Sequence, residues 1–367
     1  MLGAQVGEYF ENADLTRGWK VRFSGDEVAA VFGSAPPGSG RRSDLELRVE
    51  AELGEMCAEA LTLFERGTDA IHGSIFEPGG KLLRPRLLLL SASAGEPDWG
   101  RARRAALAIE LLHTGTLYHD DVVDRSAERR GQPAVHRRLG EPAAAFGGAH
   151  LLCLGNLLAA EFPDPVARWW GRAMLDVAEG QLRETEHAGS LDLSPAAYER
   201  IARRKTATLF ELAARIGAYL AGRPPAEQDA FRRFGADLGV AFQLLDDLDD
   251  FATQPGVHRP PATDVRERIY TLPVLFACAR EDAKGRRLRV LLRDDGRPLA
   301  APALAEACRL LAETGAFAAA AERARWYLDR AHGSLVALPA SAARDALAAL
   351  TSNLQPPNPV LIGGQAP

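Results

Sequence analysis

The chain has 367 residues, of which 47% are hydrophobic and 25% are charged, with a formal net charge of −5. An acidic balance of this kind excludes a broad electropositive surface for nucleic acid. No apolar run reaches the 18 residues that a membrane span needs, and the N-terminus lacks the basic-then-apolar pattern of a signal peptide. Four widely spaced cysteines without a CxxC pair indicate reduced thiols, as is typical of a cytoplasmic protein.

Residues 1–44 differ in composition from the rest of the chain. Residues 19–32 could pair as a short hairpin, and the Gly, Pro and Ser content of residues 33–42 predicts a linker. From Leu45 onwards the apolar residues recur at helical spacing, and the proline-rich residues 355–367 are predicted to be a disordered tail. The predicted helices cover residues 45–73, 81–94, 101–124, 141–161, 165–187, 195–221, 226–252, 270–282, 302–312, 315–337 and 340–354. Residues 45–354 are therefore expected to form one all-α bundle of about ten or more helices, with sites between facing helices.

The third predicted helix ends in the acidic sequence His119-Asp120-Asp121-Val122-Val123-Asp124. Since positions i and i+4 share one helix face, Asp120 and Asp124 point the same way, with Asp121 about 100° to one side. Two carboxylates 4 Å apart repel by about 4 kcal/mol at an effective dielectric near 20, so a bound cation is expected. Mg²⁺ fits because it takes one or two carboxylates together with water and substrate phosphates. The alternative is a solvated acidic helix end.

A second acidic cluster repeats this spacing at Asp246, Asp247 and Asp250, again at the end of an apolar-periodic helix. Two clusters of one geometry in one domain favour opposing walls of a single site over two solvated helix ends. Such a site would hold several divalent ions and a polyanion.

Basic residues of two turns could bind that polyanion. Gly80 permits close backbone approach, and Lys81 and Arg84 follow it where a helix N-terminus would favour an anion. Arg129 and Arg130 lie in a turn just past the first cluster and could hold diphosphate oxygens. The alternatives are an ordinary glycine-rich turn and a basic surface loop.

Other polar residues lie within the predicted helices. His113 is two turns before Asp120 on the same face, and Gln243 is one turn before Asp246. Lys205 and Thr206 carry an ammonium and a hydroxyl that could both bind phosphate oxygen. A hydrogen-bonded core histidine, an amide satisfied by neighbouring backbone and a charged helix surface are the respective alternatives.

These motifs occur in the order and at the spacing of the trans-isoprenyl diphosphate synthases (polyprenyl synthetases), and residues 45–354 resemble that family. The resemblance implies an isoprenoid-synthase-type bundle around a central cavity, a homodimer, and several Mg²⁺ ions per site. The implied catalytic residues are Asp120, Asp121, Asp124, Lys205, Asp246 and Asp247. The implied magnesium ligands are Asp120, Asp124, Asp246 and Asp250. The implied substrate-binding residues are Lys81, Arg84, His113 and Arg130 for isopentenyl diphosphate, and Arg129, Lys205, Thr206 and Gln243 for the allylic diphosphate, with Gly80 and Arg259 beside them.

The resemblance also implies the reaction, in which an allylic diphosphate ionises and isopentenyl diphosphate attacks the allyl cation head-to-tail. A terpene cyclase on the same kind of fold is a second reading. A cyclase needs no site for isopentenyl diphosphate, so the implied binding residues for that substrate argue against it. A third reading is a non-catalytic subunit of a two-part prenyl synthase. The intact aspartates of both clusters argue against it, whereas Ile269 and Ala149 leave it open.

The chain departs from the family pattern at a few positions. Arg259 keeps a charge where the family has lysine, whereas Ile269 and Ala149 replace a usual lysine and a usual aspartate. In the family, aromatic residues four and five positions before the first aspartate block the growing product. Here these positions are the small Thr116 and Gly115, so the product is expected to be C20 or longer, and Gly115→Phe is expected to shorten it.

Overall fold

The computed structural model describes residues 43–64, 82–129, 132–252, 261–293 and 297–354, and these are almost entirely helical. The prediction of an all-α bundle is confirmed. The predicted hairpin at residues 19–32, the linker and the C-terminal tail lie outside the described residues. So do four residues predicted for the site, which are Gly80, Lys81, Arg130 and Arg259.

The helices follow one another along the chain with short connections. In the first half they are α1 (Asp44–Phe64), α2 (Leu83–Ala92), α3 (Trp99–Val123), α4 (Val135–Leu139), α5 (Glu141–Ala159), α6 (Val166–Glu186), α7 (Pro195–Ala202) and α8 (Thr208–Leu220). In the second half they are α9 (Pro225–Asp249), α10 (Thr263–Arg266), α11 (Leu272–Cys278), α12 (Ala283–Leu291), α13 (Ala301–Thr314), α14 (Ala316–Val336) and α15 (Ala342–Asn353). Two short antiparallel strands, β1 (Glu128–Arg129) and β2 (Gln132–Pro133), form the predicted basic turn after α3.

Side chains that accept a backbone N–H fix several helix starts. Asp98 accepts from the N–H of Arg101 at 3.1 Å before α3, and Ser194 accepts from that of Ala197 at 3.2 Å before α7. Each bond satisfies one of the backbone donors that a helix N-terminus leaves free. The local sequence therefore determines where these helices begin.

The structure differs from the prediction in several helical regions, and the short helices α4 and α10 were not predicted. The predicted helix at 195–221 is divided into α7, a π-helical turn at Arg203–Ala207 (the π turn) and α8. Helix α12 was not predicted, because its arginine-rich sequence buries only Gly285 and Leu288 and so has a weak apolar period.

Helices α2 and α3 lie at the centre of the bundle. The four leucines Leu87 to Leu90 of α2 are fully buried, as expected of a helix packed on all sides. The part of α3 before the first acidic cluster is buried in the same way, from Ala105 to Leu112. The first acidic cluster therefore lies at the C-terminal end of α3, where this buried helix leaves the core.

Helix α5 is the one helix of the described residues that is long and apolar enough to cross a membrane, with a mean hydropathy of 1.3. It packs closely on α3, since a Cβ atom at Gly155 would lie 3.0 Å from the carbonyl oxygen of Ala108. Such packing is that of a core helix, yet only 39% of the apolar stretch is buried within the chain. Phe146 and Leu157 remain exposed on its outer side.

Glycines allow several helix pairs to approach closely, and Gly217 provides a test. A Cβ atom there would overlap the carbonyl oxygen of Leu88 in α2, whereas one at Gly171 on α6 meets nothing within 4 Å. We expect Gly217→Ala to lower the free energy of unfolding by about 2 kcal/mol, because the helices must separate. Gly171→Ala should raise it by about 0.5–1 kcal/mol through helix propensity. Urea denaturation followed by circular dichroism measures both, and equal effects of the two substitutions would contradict the packing.

Candidate active site

The first acidic cluster occupies the last turn of α3. Asp124 follows the helix, and its N–H donates to the carbonyl oxygen of Asp120 at 2.8 Å. Asp121 is turned inwards, is only 3% exposed, and accepts from the guanidinium of Arg129 on β1, with Nε at 3.0 Å. The predicted Arg129 is thus fixed beside the cluster by an ion pair with its least exposed member.

Lys205 of the π turn lies against this cluster. Its Nζ is 3.7 Å from Oδ2 of Asp120 and forms an ion pair with Glu184 of α6. Burial by itself would lower the pKa of Lys205, but the carboxylates of Glu184 and Asp120 outweigh it and raise that pKa. Glu184 was missed at the level of sequence, because a single glutamate in a polar helix end carries no spacing signal.

The carboxylates around Lys205 have shifted pKa values. Burial raises the pKa of Asp124 to about 6, with Lys205 offsetting and Asp120 and Glu184 adding to the effect. Burial likewise raises the pKa of Asp120, and Lys205 offsets part of this rise. One ammonium therefore does not balance the carboxylates of this cluster, so the cluster suits an additional cation.

A close contact with α6 determines the position of the π turn. A Cβ atom at Gly180 would lie 2.9 Å from Cα of Lys205 and 3.0 Å from the carbonyl carbon of Arg204. Only a residue without a side chain lets the turn approach so closely. Single π-helical turns are frequent at functional sites, and this one carries Lys205 and Thr206.

The second acidic cluster lies at the end of α9 and is linked to the same turn. The hydroxyl of Thr206 donates to Oε1 of Gln243 at 2.7 Å, and Nε2 of Gln243 donates to Oδ1 of Asp247 at 2.9 Å. Tyr198 of α7 donates to the other carboxylate oxygen of Asp247 at 2.5 Å. Burial raises the pKa of Asp247 well above its ordinary value, and these two hydrogen bonds oppose the rise. Tyr198 was not predicted as a site residue.

The other two aspartates of the second cluster are closer to the surface. Asp246 is exposed, and Oδ2 of Asp250 accepts from the N–H of Asp264 at 3.1 Å. The two clusters lie on either side of the π turn, because Lys205 contacts the first and the adjacent Thr206 contacts the helix face of the second. Residues more than 120 positions apart in the sequence are thereby brought to one region.

Two of the predicted basic and polar residues meet two helical turns before the first acidic cluster of α3. Nη1 of Arg84 in α2 is 3.0 Å from Nε2 of His113, and its guanidinium lies over the ring of Phe210 at 4.6 Å. The pair therefore places one cation and one imidazole two helical turns before Asp120, in contact with the buried core residue Phe210.

Arg268 does not replace the charge that Ile269 lacks. Its guanidinium donates to the carbonyl oxygens of Leu292 and Arg293 at 3.0 and 2.9 Å, and to that of Arg297 at 2.9 Å. It therefore holds the segment after α12, with its own backbone in the left-handed region at φ 65°. Ile269 is 39% exposed and carries no charge.

The donors of the two clusters suit a hard cation. In the described residues, no group of three or more His, Cys, Asp and Glu side chains is arranged to hold a metal ion by itself. An ion bound here would have one or two carboxylate ligands and would complete its coordination with water and substrate. This is the usual coordination of Mg²⁺ in phosphate-binding sites.

The chain is similar to known proteins in both sequence and fold. The polyprenyl synthetase family profile matches residues 67–307. A nonaprenyl diphosphate synthase of Mycobacterium tuberculosis is 33% identical over 282 residues, covering 75% of this chain and 82% of that protein. Component 2 of the heptaprenyl diphosphate synthase of Geobacillus stearothermophilus is 30% identical over 89% of this chain and 94% of its own length.

Solved structures show the same fold. The polyprenyl synthase of Caulobacter crescentus, in complex with calcium and isoprenyl diphosphate, superposes with a TM-score of 0.78 at 30% identity. The match covers 85% of this chain and 98% of that one. The chain therefore belongs to the polyprenyl synthetase family, and it is a prenyltransferase of the prenyl diphosphate synthase type.

Proposed function

We propose that the chain condenses isopentenyl diphosphate with an allylic diphosphate in a Mg²⁺-dependent, head-to-tail reaction that gives an all-trans polyprenyl diphosphate. The observation that carries this proposal is the π turn, whose neighbouring residues Lys205 and Thr206 contact the two acidic walls. A diphosphate beside this turn would meet an ammonium, a hydroxyl and two sets of carboxylates suited to cations. The polyprenyl synthase of Caulobacter crescentus is complexed with calcium and isoprenyl diphosphate, and a divalent cation and a diphosphate are the ligands that such a set of carboxylates and cations would bind.

The metal ligands of this proposal are Asp120 and Asp124 on one wall, and Asp246 and Asp250 on the other. Bound Mg²⁺ would supply Lewis-acid stabilisation of the charge that develops on the departing diphosphate. Asp121 and Asp247 lie behind these ligands, since Asp121 pairs with Arg129 and Asp247 accepts from Gln243 and Tyr198.

The chain's own cations would bind the two diphosphates. Arg129, Lys205, Thr206 and Gln243 would hold the allylic diphosphate, and Lys205 would stabilise its negative charge as the C–O bond breaks. Arg84 and His113 would hold the diphosphate of isopentenyl diphosphate, together with Lys81 and Arg130. The buried helix faces would exclude water from the allyl cation until the isopentenyl double bond attacks it. The cation formed by this attack would then lose a proton to the released diphosphate, which gives the chain that is five carbons longer.

One experiment separates this function from its two alternatives. The purified protein is incubated with Mg²⁺ and isopentenyl diphosphate together with each allylic diphosphate in turn, and the products are identified by mass spectrometry. Elongation in steps of five carbons supports the proposal. Cyclisation without consumption of isopentenyl diphosphate would instead identify a terpene cyclase. Turnover only after addition of a partner protein would identify a subunit of a two-part synthase.

We further propose a product of C20 or longer, because Thr116 and Gly115 are small. The structure changes how this can be tested. A Cβ atom at Gly115 would lie 2.9 Å from the carbonyl oxygen of Gly148 and 3.1 Å from the side chain of Leu152 on α5. The expected shortening by Gly115→Phe would thus be confounded by separation of α3 and α5.

Thr116 is the better position, because it lies one turn before Asp120 on the same face and is only half-buried. We expect Thr116→Phe to shorten the principal product by at least one five-carbon unit, since the ring would occupy the path of the growing chain. Thr62→Phe is the matched control, because each hydroxyl donates to a backbone carbonyl three residues earlier at 2.7 Å but Thr62 is exposed on α1. Product chromatography after complete turnover measures this, and an unchanged product from Thr116→Phe would contradict the proposed path.

We propose a homodimer that uses the outer face of α5. Phe146 is 77% exposed and Leu157 is 66% exposed, and their separation of eleven residues places them on one side of the helix. Large exposed apolar faces on soluble proteins mark interaction sites, and two-fold symmetric dimers are the commonest assemblies. A second copy covering this face would also account for the apolar composition of α5.

We expect Phe146→Asp to raise the dimer dissociation constant by at least about thirtyfold, because it places a charge in the apolar contact. Val290→Asp is the control, since Val290 is 69% exposed on α12. Sedimentation velocity over a concentration series measures the change. An unchanged dissociation constant of Phe146→Asp would show that the dimer interface lies on another face.

We place the reaction in the cytoplasm. All four cysteines are free thiols, and Cys57 and Cys278 are buried. Burial raises the pKa of Cys57 to about 12, so this thiol stays protonated and unreactive at neutral pH. Unpaired cysteines of this kind fit a reducing compartment.

A further inference from the structure

A chain of hydrogen bonds that runs from α7 through α9 to the π turn extends beyond the motifs of the sequence. Its members are Tyr198, Asp247, Gln243 and Thr206, joined at 2.5, 2.9 and 2.7 Å. Asp247 is 3% exposed, and each of its carboxylate oxygens accepts one of these bonds. The ring of Tyr198 packs against the apolar core.

The direction of these bonds fixes the orientation of Gln243. Nε2 of Gln243 donates to Oδ1 of Asp247, so the amide turns its NH₂ group towards that carboxyl group. Its carbonyl oxygen then faces Thr206 and accepts the hydroxyl proton. One N–H of the amide remains for a ligand, and it is held in one direction by a buried acceptor.

Tyr198 is required to keep that acceptor in place. A buried carboxylate oxygen without a donor is costly, and hydrogen bonds to charged groups are among the stronger ones. Without the hydroxyl of Tyr198, one oxygen of Asp247 loses its partner, and the carboxylate is free to turn away from Gln243. The position of a ligand-binding amide on α9 thus depends on a phenol on α7.

We infer that Tyr198 and Asp247 are positioning residues for the allylic diphosphate, acting through Gln243 and Thr206. This inference rests on the proposed function, which assigns Gln243 and Thr206 to that diphosphate. It gives Asp247 the role of an orienting acceptor, whereas Asp246 beside it faces solvent and suits a metal ion. It also gives a function to Tyr198, which belongs to none of the motifs.

The test is Tyr198→Phe, which keeps the ring in the core and removes the one hydroxyl. We expect the KM for the allylic diphosphate to rise about tenfold, equivalent to ~1.4 kcal/mol, with the KM for isopentenyl diphosphate unchanged. Asp247→Asn should have a larger effect, and the double variant should be no worse than Asp247→Asn alone, because the hydroxyl acts through Asp247. Tyr219→Phe is the matched control, since Tyr219 is half-buried and its ring packs edge-on against Trp169.

The outcomes separate this inference from the proposed function. If the wild type elongates allylic diphosphates and Tyr198→Phe keeps wild-type values of both KM, the inference is wrong and the function stands. Equal rises in both KM with additive effects in the double variant would indicate a merely structural role and also overturn it. If the wild type does not elongate, the proposed function fails. Calorimetric titration of wild type and Tyr198→Phe with Mg²⁺ and inorganic diphosphate then decides the inference, which is overturned if both bind equally.

Discussion

Asp120→Asn should lower kcat by about a hundredfold to a thousandfold, with the fold retained. Asp120 is the carboxylate of the first cluster that lies 3.7 Å from Lys205, and the proposal makes it a ligand of Mg²⁺. An amide keeps the size of the side chain but gives up the negative charge that holds a hard cation. Initial rates at saturating substrate and increasing Mg²⁺ concentration measure the loss, and excess Mg²⁺ should restore only part of the rate.

The stability of this variant distinguishes a functional loss from a folding defect. The pKa of Asp120 is raised in the folded protein, so stability falls as the pH rises from the unfolded pKa to the folded one, and the full cost of the ionised form persists above it. A neutral amide avoids this cost, and Asp120→Asn should therefore melt no lower than the wild type at pH 7.5 without Mg²⁺. Asp345→Asn on α15 is the control, because its side chain is 73% exposed and pairs only loosely with Arg344 at 3.4 Å. A kcat of Asp120→Asn close to that of the wild type would show that Asp120 is not a metal ligand.

Lys205→Met should lower kcat by about a hundredfold and raise the KM for the allylic diphosphate. Lys205 is the cation that the structure places between the first cluster and Glu184, so it would face the charge of the leaving diphosphate. Methionine preserves the length of the side chain without its charge. Steady-state kinetics with the allylic diphosphate as the varied substrate measures both parameters.

The same substitution has a consequence for stability without substrate. Removal of the ammonium leaves Glu184, Asp120 and Asp124 close together with no cation between them, so the melting temperature should fall and Mg²⁺ should raise it again. Lys284→Met is the matched control, because Lys284 also pairs with a carboxylate, that of Glu313 at 2.9 Å, but on the exposed surface. It should change neither activity nor the response to Mg²⁺. Equal kinetics of the two methionine variants would exclude Lys205 from the reaction.

The sequence predicted most of the helices because helix formation is local. Apolar spacing of three and four residues reports the buried face of a helix, and caps such as Asp98 and Ser194 mark where it begins. The acidic spacing was equally readable, since residues four apart on one helix share a face. Lys205, Thr206 and Gln243 could be named as candidates from their side-chain chemistry. Their assignment to the allylic diphosphate could be proposed only through the family resemblance, because none of them forms a pattern by itself.

The amino-acid sequence by itself determined an all-α chain with two acidic helix ends and with basic residues that could bind a polyanion. Only the tertiary structure decided that Glu184 pairs with Lys205, that Tyr198 donates to Asp247, and that Arg268 binds the backbone carbonyl oxygens after α12. It also decided that the space beside Gly115 is filled by α5. The physical reason is that periodicity records which side of a helix is buried. Which side chains meet across two helices depends instead on how glycines such as Gly148 and Gly180 let those helices approach.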